Sequence, residues 1–294
     1  MRAQTTSTST VSWRSVAVAA TSIVLAAAVY IVAVRTSAGQ LVDQRLFEIV
    51  RSLNPVSEVP YELSIDIVTS PTLWLSVAAA VTALACVGAL IARGRITRGH
   101  LLATLALLAY VPIVIGVVRF LRDHVLERPQ LHDWITDAGN SAPSGHAAAV
   151  AAIVVALVLA SPTIIRPWVA ALAGTWAVVI DFQLVASGWH RPSDVMISTL
   201  LVIGCAALLP RITARTSGAT VPLAGLGAAL IVIAAPIAVA IYFPAPSAIV
   251  VSGGFALVLA ALTWLSLLAG GSGVLTRRPG TIPLSQPHRS PAGV

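Results

Sequence analysis

The chain reads as long apolar runs broken by short polar segments. A helix that crosses a bilayer needs about 20 mostly apolar residues. Six runs come up to that length: Val16 to Val34, Thr72 to Ala92, Leu101 to Val118, Pro167 to Ala186, Val221 to Tyr242 and Ser247 to Ala269. Two shorter runs, Ala147 to Ala160 and Val195 to Leu209, begin directly after polar motifs. They read as spans whose first turn carries chemistry in place of lipid contact. The pattern predicts an all-α, polytopic membrane helical bundle of eight spans, divided into a tail (1–15), six spans (16–209), two additional transmembrane helices (210–269) and a Gly/Pro/Arg tail (270–294). Both tails read as disordered. The first apolar stretch has 19 residues, more than the roughly 7–15 of a secretory signal, and Arg35 follows at once. It reads as an uncleaved helix.

Between the first two spans, Leu41, Val42, Leu46, Ile49, Val50 and Leu53 recur at helical spacing, with Asp43, Arg45, Glu48 and Arg51 among them. This fits an amphipathic helix on the outer membrane surface. A short packed connector fits equally.

Composition supports the membrane reading. Hydrophobic residues make up 57% and charged residues 10% of the chain, against about a quarter charged in soluble domains. All eighteen basic residues are arginine, which excludes lysine nucleophiles and Schiff bases. The arginines are scattered between apolar runs and not gathered on one solvated face, which argues against a nucleic-acid partner. Cys86 and Cys205 lie inside apolar segments, a pattern of neither a disulfide framework nor a zinc site. With the N-terminus inside, eleven arginines fall in inner segments and seven in outer ones, while ten of eleven acids are outer. The arginine bias predicts cytoplasmic termini. The remaining acid, Asp181, lies near the outer end of an apolar run, with a loop arginine as its expected partner.

The chemistry gathers in two loops that parity places on one face: Arg119 to His146 and Ser187 to Asp194. In Pro143-Ser144-Gly145-His146, the serine suits a helix cap and the glycine admits close backbone approach. The exposed amides of a helix start form an anion site. In His190-Arg191-Pro192-Ser193-Asp194, the proline suits a first helical position. The spacing of four lets Asp194 accept an imidazole N–H and orient His190 as a nucleophile. Arg128, Arg122 and Arg119 offer forked donors to phosphate oxygens. His124, His132, Asp133 and Asp137 match no trusted metal spacing and read as a solvated loop. Trp134 and Trp189 read as interface anchors.

These motifs resemble the type-2 phosphatidic acid phosphatase superfamily of membrane lipid phosphatases, with its Lys-x6-Arg-Pro, Pro-Ser-Gly-His and Ser-Arg-x5-His-x3-Asp motifs. The second is complete at Pro143 to His146, the third matches from Gly188 to Asp194, and the first survives as Arg128-Pro129. The family lysine falls at Leu121, so Arg122 or Arg119 must stand in; the family Ser-Arg falls at Gln183 and Leu184, where Arg191 or Arg119 could compensate. The resemblance implies a six-helix phosphatase core over 16–209. It also implies His190 as the nucleophile, Asp194 as its orienter and His146 as acid and base. Arg128, Ser144 and the Gly145 amide would hold phosphate, with neither metal nor cofactor. The expected partners are membrane lipids and a lipid phosphate substrate: a polyprenyl phosphate or diphosphate, phosphatidic acid or phosphatidylglycerol phosphate. The expected site is the outer face of the cytoplasmic membrane. Leu184 and the missing lysine also fit a catalytically silent lipid-phosphate binder or transport component, and phosphoryl transfer to another acceptor is a further reading.

Overall fold

The computed structural model describes residues 13–53, 98–135, 139–161, 165–209 and 220–242, with scattered positions between 80 and 260. The expected span Thr72 to Ala92, most of Ser247 to Ala269 and both distal tails lie outside the described residues. Those described form helices and no strand. They are α1 (Trp13–Val29), α2 (Ser37–Ser52), α3 (Arg98–Phe120), α4 (Gly145–Ala160), α5 (Arg166–Ala186), α6 (Pro192–Ala207) and α7 (Thr220–Tyr242). Single π-helical turns extend α1 over Tyr30–Val34 and α3 over Leu121–Val125.

Among the described residues, three stretches are long and apolar enough to cross a membrane: Ser15–Val34, Thr104–Val125 and Arg166–Ala186. Three shorter apolar helices accompany them, Gly145–Ala160, Pro192–Ala207 and Ala229–Ala240. These helices make the chain a membrane protein.

The centre of the bundle is α4, which packs on α3, α5 and α6. It is apolar all round, as a helix enclosed by others must be. Its alanines let neighbours approach closely, the usual means of packing helices in lipid. Ala148, Ala152 and Ala156 meet Tyr110, Val111, Val114 and Val118 of α3. On another side, Val150, Val154 and Val158 cluster with Ala170, Ala177 and Val178 of α5 and with Ile231 and Ala235 of α7. The α1 helix lies against α6 through Ala26, Val34, Ile197, Leu200 and Ile203.

The helix α2 forms where the pattern places it and packs on α5 and α6. Gln40, Asp43, Gln44, Phe47 and Val50 are buried, while Val42, Leu46 and Ile49 are exposed. Its polar stripe faces protein, and its outward surface mixes these apolar residues with the exposed Arg45, Glu48 and Arg51. The corner before it is tight. Thr36 caps α2 by accepting the Gly39 N–H at 3.0 Å, and any side chain at Gly39 would run into the Val32 carbonyl oxygen. Gln40 then donates to the Pro129 carbonyl at 2.6 Å, and the Tyr30 hydroxyl donates to the Glu127 carbonyl at 2.6 Å. These bonds tie the loop containing Arg128 to the α1–α2 corner.

Candidate active site

Both histidine motifs are built by helix ends. Ser144 caps α4: its Oγ accepts the Ala147 N–H at 3.1 Å, satisfying one of the orphan amides of the first turn. The helix α5 ends at Gly188, whose φ of +81° is the left-handed conformation that closes helices and favours glycine. The Leu184 carbonyl accepts the Trp189 N–H at 3.1 Å and the His190 N–H at 3.4 Å. That turn delivers His190 to the start of α6. The Ser144 N–H donates to the Asp194 carbonyl at 3.3 Å, so the two motifs are joined through their backbones. His146 and Asp194 sit on first turns, ahead of the apolar stretches that follow.

The rings of His146 and His190 face each other with centroids 5.9 Å apart. Arg119 and Arg122 approach Gly145: a Cβ there would lie 3.4 Å from Arg119 Nε and 4.0 Å from Arg122 Nη1. Arg122 also pairs with its neighbour Asp123 at 2.7 Å. Five buried nitrogens of these side chains lack a hydrogen-bond partner among the described residues: Arg119 Nε, Arg128 Nε, both ring nitrogens of His146, and His190 Nδ1. Buried donors are nearly always paired, so a cluster of unpaired ones marks a place for an acceptor. Burial, with the positive fields of His190, Arg119 and Arg122, lowers His146 from 6.5 to about 4. At neutral pH it is an uncharged imidazole, ready to take a proton.

Asp194 is held otherwise than its spacing implied. The His190 Nδ1 to Asp194 Oδ2 distance is 3.7 Å, beyond a hydrogen bond. That oxygen is already taken by the Ser141 hydroxyl at 2.5 Å and the Arg191 N–H at 3.0 Å, while Arg128 donates to Oδ1 at 2.7 Å. Burial pushes the Asp194 carboxyl up, but the His190 ring, the Arg128 guanidinium and Ser141 outweigh it and bring it down to about 2. It is a fixed negative charge beside His190. Arg128 is itself claimed by two carboxylates, since its Nη1 lies 3.6 Å from Asp43 Oδ2. Only its Nε points to no partner among the described residues.

Residues 122–217 match the model of the PAP2 superfamily. That stretch, about a third of the chain, is similar to the superfamily. Members of that superfamily are generally phosphatases acting on phosphate esters. No curated protein and no solved structure matches the chain.

The PAP2 segment contains Arg122, Arg128, Ser144, Gly145, His146, His190 and Asp194, and Arg119 lies just before it. Well outside it is a residue the motifs do not reveal. Asp43 of α2 is buried; it accepts the Ser193 N–H at 3.0 Å and the Ser193 hydroxyl at 2.6 Å. It thus caps α6 from outside while flanking Arg128. Burial raises the Asp43 carboxyl, and the Asp194 charge adds to this, against Ser193 and Arg128. The signal for this role is the polar stripe Gln40, Asp43, Gln44, spaced for one face of α2 and buried there.

Other expectations meet the PAP2 geometry less directly. Leu184, where the family has arginine, is buried with Phe47, Val50, Ala147 and Val195. Arg191 is also buried, donating from Nε to Gln44 at 3.1 Å. Asp181 is buried with its Oδ1 unpartnered among the described residues, and no loop arginine reaches it. Trp189 sets its edge against the His146 ring at 5.6 Å, so it is a wall of the site, whereas Trp134 is exposed. His132 contacts Ser37 and His124 stacks on Phe120; Asp137 lies outside the described residues.

Proposed function

We propose that this chain is a PAP2-type membrane phosphatase that hydrolyses a lipid phosphate monoester or diphosphate through a phosphohistidine. The observation that carries the reading is the set of buried, unpartnered nitrogens on His146, Arg119 and Arg128. Donors of this charge and placement are what a tetrahedral anion requires. In this reading the six spans over 16–209 form the phosphatase core and two further helices fall in 210–269. The tails at 1–15 and 270–294 are cytoplasmic, and the motif loops open on the outer face of the cytoplasmic membrane.

His190 Nε2 attacks phosphorus while Nδ1 faces Asp194, whose fixed charge stabilises the cation that forms. As the P–N bond forms, the P–O bond to the lipid breaks, and the leaving oxygen takes a proton from His146. The negative phosphoryl group raises the proton affinity of His146, so substrate binding converts a neutral base into the required acid. His146 then removes a proton from water. The resulting hydroxide attacks phosphohistidine, releasing inorganic phosphate and restoring His190. Arg119, Arg122, the Nε of Arg128, Ser144 and the Gly145 amide hold the equatorial oxygens, where charge develops.

The test is phosphate release by the full chain in detergent, without added metal, over polyprenyl phosphates and diphosphates, phosphatidic acid and phosphatidylglycerol phosphate. His190→Ala and His146→Ala should each remove nearly all turnover; turnover retained by His190→Ala would overturn the mechanism. The occupation of Arg128 by two carboxylates, together with Leu184, favours a second reading, a silent lipid-phosphate binder or transport component. It predicts tight binding of the same lipids with no phosphate released.

A further inference from the structure

The end of α3 brings Arg119 and Arg122 to Gly145, and it is closed in an unusual way. Its last turn, Leu121–Val125, is π-helical: the Leu126 N–H donates to the Leu121 carbonyl, five residues back, at 2.7 Å. The next bond of that ladder would join the Glu127 N–H to the Arg122 carbonyl. Instead, the Glu127 N–H donates to the Tyr30 hydroxyl at 3.0 Å. A side chain takes the vacated place. Asn140 Nδ2 donates to the Arg122 carbonyl at 2.8 Å and to the Leu126 carbonyl at 2.6 Å. It thus caps the turn from 18 and 14 residues further along the chain, satisfying carbonyls that a helix end leaves open.

The chemistry of Asn140 fits this task and leaves little for another. A side-chain amide has two N–H donors and one carbonyl oxygen. Both donors are engaged on α3, and Oδ1 accepts the Ala142 N–H at 3.2 Å. Asn140 borders the open cavity of about 330 Å³ that Trp189 and His190 also line, yet its donors are turned to the backbone. The next residue, Ser141, holds Asp194, and Ser144 caps α4. Residues 140–144 therefore fasten the ends of α3, α4 and α6 where they meet. Single π-turns inside α-helices are rare and recur at functional sites. This one carries Arg122, whose Nη1 lies 4.0 Å from where a Cβ on Gly145 would stand.

We propose that Asn140 is a positioning residue: it fixes the π-helical end of α3 and thereby holds Arg122 beside Gly145, where the phosphoryl group binds. This rests on the phosphatase reading above. Without the amide, the Arg122 and Leu126 carbonyls lose their donor, and the turn rearranges to find another. Arg122 keeps its pair with Asp123, which travels on the same turn, but loses its place at Gly145. Phosphate is then held less well, while His146 and His190, on other helix starts, keep theirs.

The experiment uses the full chain in neutral detergent and reads two quantities: the Kd of inorganic phosphate by calorimetry, and phosphate release from phosphatidic acid and a polyprenyl diphosphate. Arg122→Ala should raise the Kd by about tenfold to a hundredfold, the range of one charge-assisted contact. Asn140→Ala should raise Kd and KM by about threefold to tenfold, the range of one neutral hydrogen bond, with kcat changed less. Added to Arg122→Ala, it should move the Kd by less than about twofold, because the arginine through which it acts is gone. The thermal midpoint should fall by the same amount in both backgrounds, so a loss of fold does not imitate the coupling. Asn140→Leu fills the same space without a donor and should repeat the result where the alanine variant does not fold. Equal losses of binding in the two backgrounds, or an unchanged Kd in a folded variant, overturn the inference and leave the phosphatase reading intact. A wild type that binds phosphate but turns over neither lipid overturns the phosphatase reading, while the Kd values still decide the role of Asn140. A wild type that does neither overturns both.

Discussion

Asp43→Asn isolates the contribution of a helix that no motif includes. The substitution keeps the shape of the side chain and one oxygen for Ser193, and it removes the charge facing Arg128. Asp43 accepts two bonds from Ser193, at 3.0 and 2.6 Å, and lies 3.6 Å from Arg128. Losing one hydrogen bond to a charged group costs about 1.5–3 kcal/mol. If that loss is felt in the transition state, turnover falls roughly tenfold to a hundredfold. The effect should appear in kcat with KM shifted by less than about threefold, because Asp43 acts through Arg128 and Asp194 and not on the substrate.

Stability should move the other way. Burial raises the Asp43 carboxyl above its ordinary value. A carboxyl so raised costs stability at neutral pH, where it is charged, and that cost fades as pH falls. Asp43→Asn should therefore keep or raise the thermal midpoint in detergent while turnover drops. Ser193→Ala should lower turnover less, and the double variant should fall short of the sum, since the two side chains share a bond. Phosphate-release kinetics and thermal unfolding on the same preparations decide the matter. Wild-type kcat in a folded Asp43→Asn protein would refute the positioning role.

Two further outcomes follow from the same geometry. His146 is lowered from 6.5 to about 4, so the unfolded chain binds its proton first; stability from this group is complete above about 6.5 and is lost as pH falls towards 4. His146→Gln should flatten that part of the stability profile, and an unchanged slope would count against a buried neutral ring. Leu184→Arg, which restores the family residue in sequence, should fail to restore function. It places a guanidinium among Phe47, Val50, Ala147 and Val195, where an unpaired charge is costly, and should lower the thermal midpoint by about 5–15 °C; a stable protein with raised turnover would refute this.

The helix starts at Gly145 and Pro192 were legible because caps are local. Ser144 bonds three residues ahead and Gly188 turns where the backbone requires it, so short motifs suffice to place His146 and His190. The spans among the described residues were legible for a similar reason, since length and composition decide them. What spacing could not supply was the competition for Asp194. His190 is four residues away, but Ser141 and Arg128 reach the carboxylate across 53 and 66 residues. The same applies to Arg128, whose fork is shared with a helix 85 residues earlier in the chain. The α2 helix was legible as amphipathic, but its facing followed from what its polar stripe met: Ser193, Arg191 and Pro129.

The polar stripe of α2 also sets an order of assembly. Gln40 is synthesised 89 residues before the Pro129 carbonyl it bonds, and Asp43 is 150 residues ahead of Ser193. Until those residues emerge, Gln40 lacks its Pro129 partner and Asp43 its Ser193 partner. A helix lying at a membrane surface would meet the need, with Val42, Leu46 and Ile49 towards lipid and Asp43 in water. When the motif loops emerge, they displace that water. Asp43 thus reaches its place in the site only when the chain up to Ser193 has been made.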